Sequence, residues 1–129
     1  GIEEGSRIIG SSKRNVDSAK KQLLDHQKAR RKRMIRDEVD RSLVDLLGLF
    51  RDILIVQLDS PLELINQEMR PSIESFAARG NPADTTRTLE AIEHARASIK
   101  ANTPPQLAVE SLMVSIKDPK LASIHASMQ

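Results

Sequence analysis

Apolar residues recur along the middle of the chain at Ile35, Val39, Leu43, Leu46, Leu47, Phe50 and Leu54, at spacings of three and four. That period puts them on one face of a helix. From about Val16 to Leu58 there is no proline and one glycine, Gly48, so the pattern predicts one long helix or two in line. Its first half is charged on nearly every side, whereas its second half turns apolar on most sides around "LLGLFRDILIV". Such a helix starts in solvent and ends in the centre of a bundle. Residues 1–15 show no period and are expected to be a disordered or linker segment.

Shorter periodic stretches follow, each punctuated by proline. Ser60, with Pro61 next and Glu63 three residues on, has the form of a capping box and predicts a short helix. Pro71 opens the next stretch, in which Ile73, Phe76 and Ala77 share a face before Gly80 and Pro82 stop it. Asp84 is expected to cap a helix from Thr85 to Ala101, with Leu89, Ile92, Ala95 and Ile99 at helical spacing. The stretch "NTPPQLAVESLMVSI" then sets two prolines directly before an amphipathic run. Proline fits the first turn of a helix, whose N–H groups lack intrahelical acceptors. Thr103 reads as the N-cap, Gln106 completes a capping box, and Leu107, Ala108, Leu112 and Ile116 form the inward set. Asp118 and Pro119 begin a final weak helix and tail over residues 118–129. The expected fold is therefore all-α, an antiparallel bundle of five or six helices with a long N-terminal helix, its domain covering residues 16–117.

Composition agrees with packed helices: 39% of residues are hydrophobic but only 2% aromatic. Without cysteine there are no disulfides, thiol nucleophiles or thiolate metal sites, which fits a reducing, cytoplasmic setting. The longest apolar run, Ile53 to Val56, is far short of a membrane span, and no secretory signal opens the chain. A start at "GIEEGS" reads as a fragment of a larger protein. The formal net charge is +2, so any nucleic-acid contact depends on where the charges sit.

They are densest in "KARRKRMIR", where Lys28, Arg30, Arg31, Lys32, Arg33 and Arg36 are candidates for sequence-independent contact with phosphates. The plain alternative is a solvated helix face, with Arg33 to Asp37, Asp37 to Arg41 and Arg41 to Asp45 each four apart. His26, His94 and His125 lie in unrelated segments, and the Glu90/His94 pair alone makes neither a metal site nor an acid/base centre. No glycine-rich phosphate loop or nucleophile elbow is present, so no enzyme activity, metal or cofactor is expected. Arg51 and Asp52 interrupt the most apolar part of the chain. They read equally as an arginine at the rim of the core or as a polar pair where two subunits meet.

Two motifs, "FRDILIV" near the end of the long helix and "NTPPQLAVESLM" after a helical gap, resemble the C-terminal collar domain of the delta-prime subunit of the bacterial DNA polymerase III clamp loader. Asn102, Pro105, Leu107, Ala108, Glu110 and Leu112 match the second motif, and "TRTLEAIEHARASIKAN" is similar to the helix that leads into it. The likeness spans about Asp37 to Ile116, and the basic approach looks like that of actinobacterial members. Departures are the second proline and Val109 where a leucine is usual. The resemblance implies a non-catalytic oligomerisation module that packs beside gamma/tau and delta collars in a ring, with nucleotide-binding-type domains elsewhere in the full protein. It makes Phe50, Arg51, Asp52, Asn102, Pro105 and Glu110 candidate interface residues. The alternatives are a gamma/tau collar or a basic helical nucleic-acid-binding module. No membrane partner is expected, and the isolated chain is expected to be a monomer or weak dimer.

Overall fold

The structure, a computed structural model, describes residues 2–117, with side chains from residue 10 onward. Helix α1 runs unbroken over Ile2–Gln57, so the long period of the sequence is one helix, and the helix also takes in residues 2–15. The chain divides into two compact units, Gly1–Ile35 and Arg36–Gln129. In the first, every side chain from residue 11 to 35 is exposed. The second contains the rest of α1, a 3-10 turn over Gln67–Met69, and helices α2 (Arg70–Arg79), α3 (Pro82–Lys100) and α4 (Pro105–Lys117).

Four α-helices and one 3-10 turn among the described residues correct the expected five or six. The helix predicted at Ser60 does not form. Ser60 Oγ accepts instead from the backbone N–H of Leu62, 3.3 Å away, in a local turn, and the segment runs on as loop to the 3-10 helix. The reason lies in α1, where Asp52 takes the N–H groups of Ile65 and Asn66 that a helix there would need. The weak helix expected from Asp118 lies outside the described residues.

Helix starts are also shifted from their expected residues. Asn81, not Asp84, caps α3: its Oδ1 accepts from Asp84 N–H at 2.9 Å, and its Nδ2 donates to Asp84 Oδ2 at 2.8 Å. Pro82 thus opens α3 at its first position instead of only stopping α2. At α4 the first intrahelical acceptor is the carbonyl of Pro104, bonded by Ala108 N–H at 3.1 Å. Thr103 is therefore not the cap, and Gln106 donates forward to Glu110 instead of back.

Two clusters form the core of the second unit. Leu43 of α1, Ile92, Ala95 and Ile99 of α3, and Ala108 and Leu112 of α4 make the first. Ile53 and Ile55 of α1, Leu64 of the loop, and Ile73 and Ala77 of α2 make the second. Phe50 packs against both, which joins them. Its ring meets Phe76 edge-on, with centroids 5.9 Å apart, and the Arg79 guanidinium stands 5.6 Å from the Phe76 centroid. Ile35, Leu46, Phe76, Leu107 and Ile116, expected to face inward, are exposed. With four helices, too few neighbours surround α1, α2 and α4 to cover every apolar face.

Candidate interface

Asp52 is the most constrained of the residues singled out in the sequence. Its side chain is 0% exposed, on a helix otherwise lined there by Ile53 and Ile55. Such a carboxylate is stable only if its oxygens are fully bonded. Ile65 N–H donates to Oδ1 at 2.8 Å, and Asn66 gives Oδ2 both its backbone N–H, at 2.8 Å, and its Nδ2, at 2.9 Å. Arg51 adds its charge from the rim, 3.7 Å away with its head in solvent. Burial pushes the Asp52 carboxyl up, but the three hydrogen bonds and the arginine together outweigh it and hold it below its ordinary value. Arg51 is thus an arginine at the rim of the core, while Asp52 staples the loop after α1 to the helix from inside. A residue so enclosed touches a neighbouring protein only through the loop it holds.

Asn102 has an equally definite local task. Its φ of 72° is left-handed, and it ends α3. Asn102 N–H bonds to Ile99 O at 3.1 Å and Thr103 N–H to Ser98 O at 2.9 Å, the paired bonds of a Schellman motif. Thr103 N–H thus belongs to the end of α3, and α4 starts two residues on, at Pro105. Asp59, with φ 52°, ends α1 in the same way, through Asp59 N–H to Val56 O and Ser60 N–H to Ile55 O. Asparagine and aspartate tolerate this conformation better than other side chains with a Cβ.

Pro105 is half-buried at the first position of α4, and Glu110 is exposed on its outer side. Leu107 and Val114, both exposed, flank Glu110 on one helical face at i, i+3 and i+7. Met113 and Ile116 lie exposed to its other side, so α4 buries Ala108 and Leu112 and still presents apolar side chains outward. The α3–α4 corner gathers Asn102 and Pro105, with Glu110 one turn further on. Phe50, Arg51 and Asp52 form a separate group at the α1 end, and among the described residues no hydrogen bond or ion pair joins the two groups.

Other connections carry no local sequence signal. Arg96 of α3 grips Asp40 of α1 in a fork, Nε to Oδ1 at 2.8 Å and Nη2 to Oδ2 at 3.3 Å. The hydrogen bond from Arg96 holds the Asp40 carboxyl below its ordinary value and raises that of the guanidinium. Gln57, the last residue of α1, accepts from the buried Thr85 hydroxyl at 2.7 Å and donates to Ala77 O at 3.3 Å, tying three helices together. By contrast, none of the pairs Arg33–Asp37, Asp37–Arg41 and Arg41–Asp45 is bridged among the described residues. Lys28, Arg30, Arg31, Lys32 and Arg33 are exposed in the first unit, whereas Arg36 is half-buried in the second. His26, Glu90 and His94 are exposed, and His125 lies outside the described residues.

Among the described residues no group of three or more His, Cys, Asp or Glu could hold a metal ion. No helix there is long and apolar enough to cross a membrane. A family model described as "DNA polymerase III, delta subunit, C terminal" matches residues 32–118. No curated protein and no solved structure matches the chain.

Proposed function

Because the chain belongs to the family formed by the C-terminal domain of the DNA polymerase III delta subunit, we propose that it serves as the collar domain of a clamp-loader delta-prime subunit, helping to assemble the complex that loads the sliding clamp. It is a non-catalytic, all-helical domain, so its contribution is a surface and not a reaction. The observation that carries the reading is α4. This helix buries Ala108 and Leu112, yet it keeps Leu107 56% and Val114 50% exposed beside Glu110. An apolar face with a charged residue at its centre is wasteful on a free monomer and suits contact with another protein of the complex. The partners are gamma/tau and delta, and the α3–α4 corner with Asn102 and Pro105 is the edge of the contact. Phe50 and Asp52 support it from within, by joining the two clusters and by fixing the loop, while Arg51 offers a charged rim. The collar proper covers residues 16–117, and the protein acts in the cytoplasm.

The choice of delta-prime rests on the two sequence motifs, whereas the matched family is that of delta. Competition separates them. Added to a reconstituted clamp loader, the chain is expected to displace the delta-prime collar and to co-elute with gamma/tau. Displacement of delta alone would reassign it to that subunit, and failure to join either would refute the collar reading. A Leu107→Asp, Val114→Asp variant is expected to melt like the parent and to lose assembly.

A further inference from the structure

The collar reading rests on α4 and the α3–α4 corner and gives the basic side chains of the first unit no task. Between residues 10 and 35 the chain carries nine Lys or Arg and only two acidic residues, Asp17 and Asp25. The density peaks at Lys28, Arg30, Arg31, Lys32 and Arg33, five cations in six consecutive residues with no acid among them. All five are exposed on α1, and none makes an ion pair with another described side chain. At about 100° of turn per residue, their side chains leave no sector of the helix wider than about 100° without a cation.

This all-round placement discriminates among partners. A helix lying on a membrane surface needs a continuous apolar face, and a ring of cations denies it one. A folded acidic protein covers one side of a helix and would leave the charges on the other side unmatched. The major groove of duplex DNA is different. It is wide enough, at roughly 12 Å, to admit an α-helix, and it is walled on both sides by phosphates. We propose that the Lys28–Arg33 segment of α1 seats in the major groove of duplex DNA, its cations reaching the phosphates of both strands without selecting a sequence. The A-form groove of duplex RNA is too narrow and deep for such a helix.

The test measures binding of the whole chain to a short mixed-sequence DNA duplex as salt is raised. If all five cations meet phosphates, affinity should fall roughly 500-fold between about 50 and 200 mM salt. A variant with Lys28, Arg30, Arg31, Lys32 and Arg33 all changed to Gln keeps good helix formers in place, and circular dichroism checks that α1 persists. That variant should lose nearly all of this salt dependence and at least 100-fold in affinity at the lower salt. A charge-matched control, with Arg70, Arg79, Arg87, Lys100 and Lys117 changed to Gln, should bind DNA within a few-fold of the parent. Equal loss in the control, absence of DNA binding at low salt, equal affinity for duplex RNA, or tighter binding to vesicles of anionic lipid would each overturn the proposal. None of these outcomes depends on whether the second unit joins a clamp loader, so the two readings fail separately.

Discussion

Removing the Asp52 carboxylate should release the loop between α1 and the 3-10 helix. Three hydrogen bonds of 2.8, 2.8 and 2.9 Å converge on a side chain with no solvent exposure. Each hydrogen bond to a charged group is worth about 1.5–3 kcal/mol, but the three share one acceptor group and do not add. The donors sit on a loop whose Ile65 side chain is exposed, so water can reach them once the loop detaches. That partial rescue places Asp52→Ala at about 3–5 kcal/mol, the range for breaking a buried charged contact. Asp52→Asn, which keeps the shape but turns an amide N–H₂ toward other donors, should cost about 2–3 kcal/mol. Urea melts give the totals, and amide exchange at Ile65 and Asn66 gives the local effect. Because the folded carboxyl titrates below its unfolded value of about 3.9, its stabilisation is complete above that value and is lost as pH falls through the folded one. The parent should therefore lose stability on acidification more steeply than Asp52→Ala. An alanine variant within about 1 kcal/mol of the parent, or one with Ile65 and Asn66 amides still protected, would refute the staple.

Other substitutions separate packing, capping and pairing. Leu112→Ala should cost about 2–5 kcal/mol in a thermal or urea melt, since Leu112 is buried in the α1–α3–α4 cluster, while Glu110→Ala on the same helix should stay within about 0.5 kcal/mol. Asn102→Ala should cost about 1 kcal/mol through its left-handed φ, and Asn102→Gly should melt no lower than the parent. A glycine variant that melts normally but fails to join gamma/tau would show that the Asn102 side chain also meets a neighbour. For Asp40 and Arg96, each about a third exposed, a double-mutant cycle with Asp40→Asn and Arg96→Gln should return about 0.5–1 kcal/mol of coupling, reduced by salt.

Much of the architecture is visible in the sequence because it depends on residues close together in the chain. The period of α1 includes buried Leu43 and half-buried Val39, Leu47, Phe50 and Leu54, although Leu46 is exposed and buried Ile53 and Ile55 lie off it, and Ile92, Ala95 and Ile99 mark the buried side of α3. Ala108 and Leu112 likewise show the inner side of α4. What misleads is local pattern with a distant competitor. Ser60, Pro61 and Glu63 have every feature of a helix start, yet Asp52 offers the following backbone a charged acceptor that a capping pattern cannot reveal. Thr103 looks like a cap because nothing in "ANTPP" shows that α4 takes its first acceptor one residue later, at Pro104. At the candidate interface, Asp52 is conspicuous as an acid in an apolar run, but its partner Asn66 stands in a loop with no signal of its own. The pairing of Asp40 with Arg96, 56 residues apart, has no signature in either segment.

These same facts separate the residues that make the fold from those free to make contacts. The polar groups inside the second unit are satisfied: no buried side-chain nitrogen or oxygen among the described residues lacks a partner. Its internal polar links, Asp52 to the loop, Gln57 to α2 and α3, and Asp40 to Arg96, leave the outer side of α4 outside them. Leu107, Met113, Val114 and Ile116 are 41–56% exposed, so single substitutions there are expected to change stability by about 0.5 kcal/mol, the usual size for surface positions. An apolar face that the fold neither covers nor needs can change without unfolding the protein. Effects of substitutions there on assembly can then be assigned to contact itself, whereas a loss at Asp52 or Leu112 cannot be so assigned without a melt beside it.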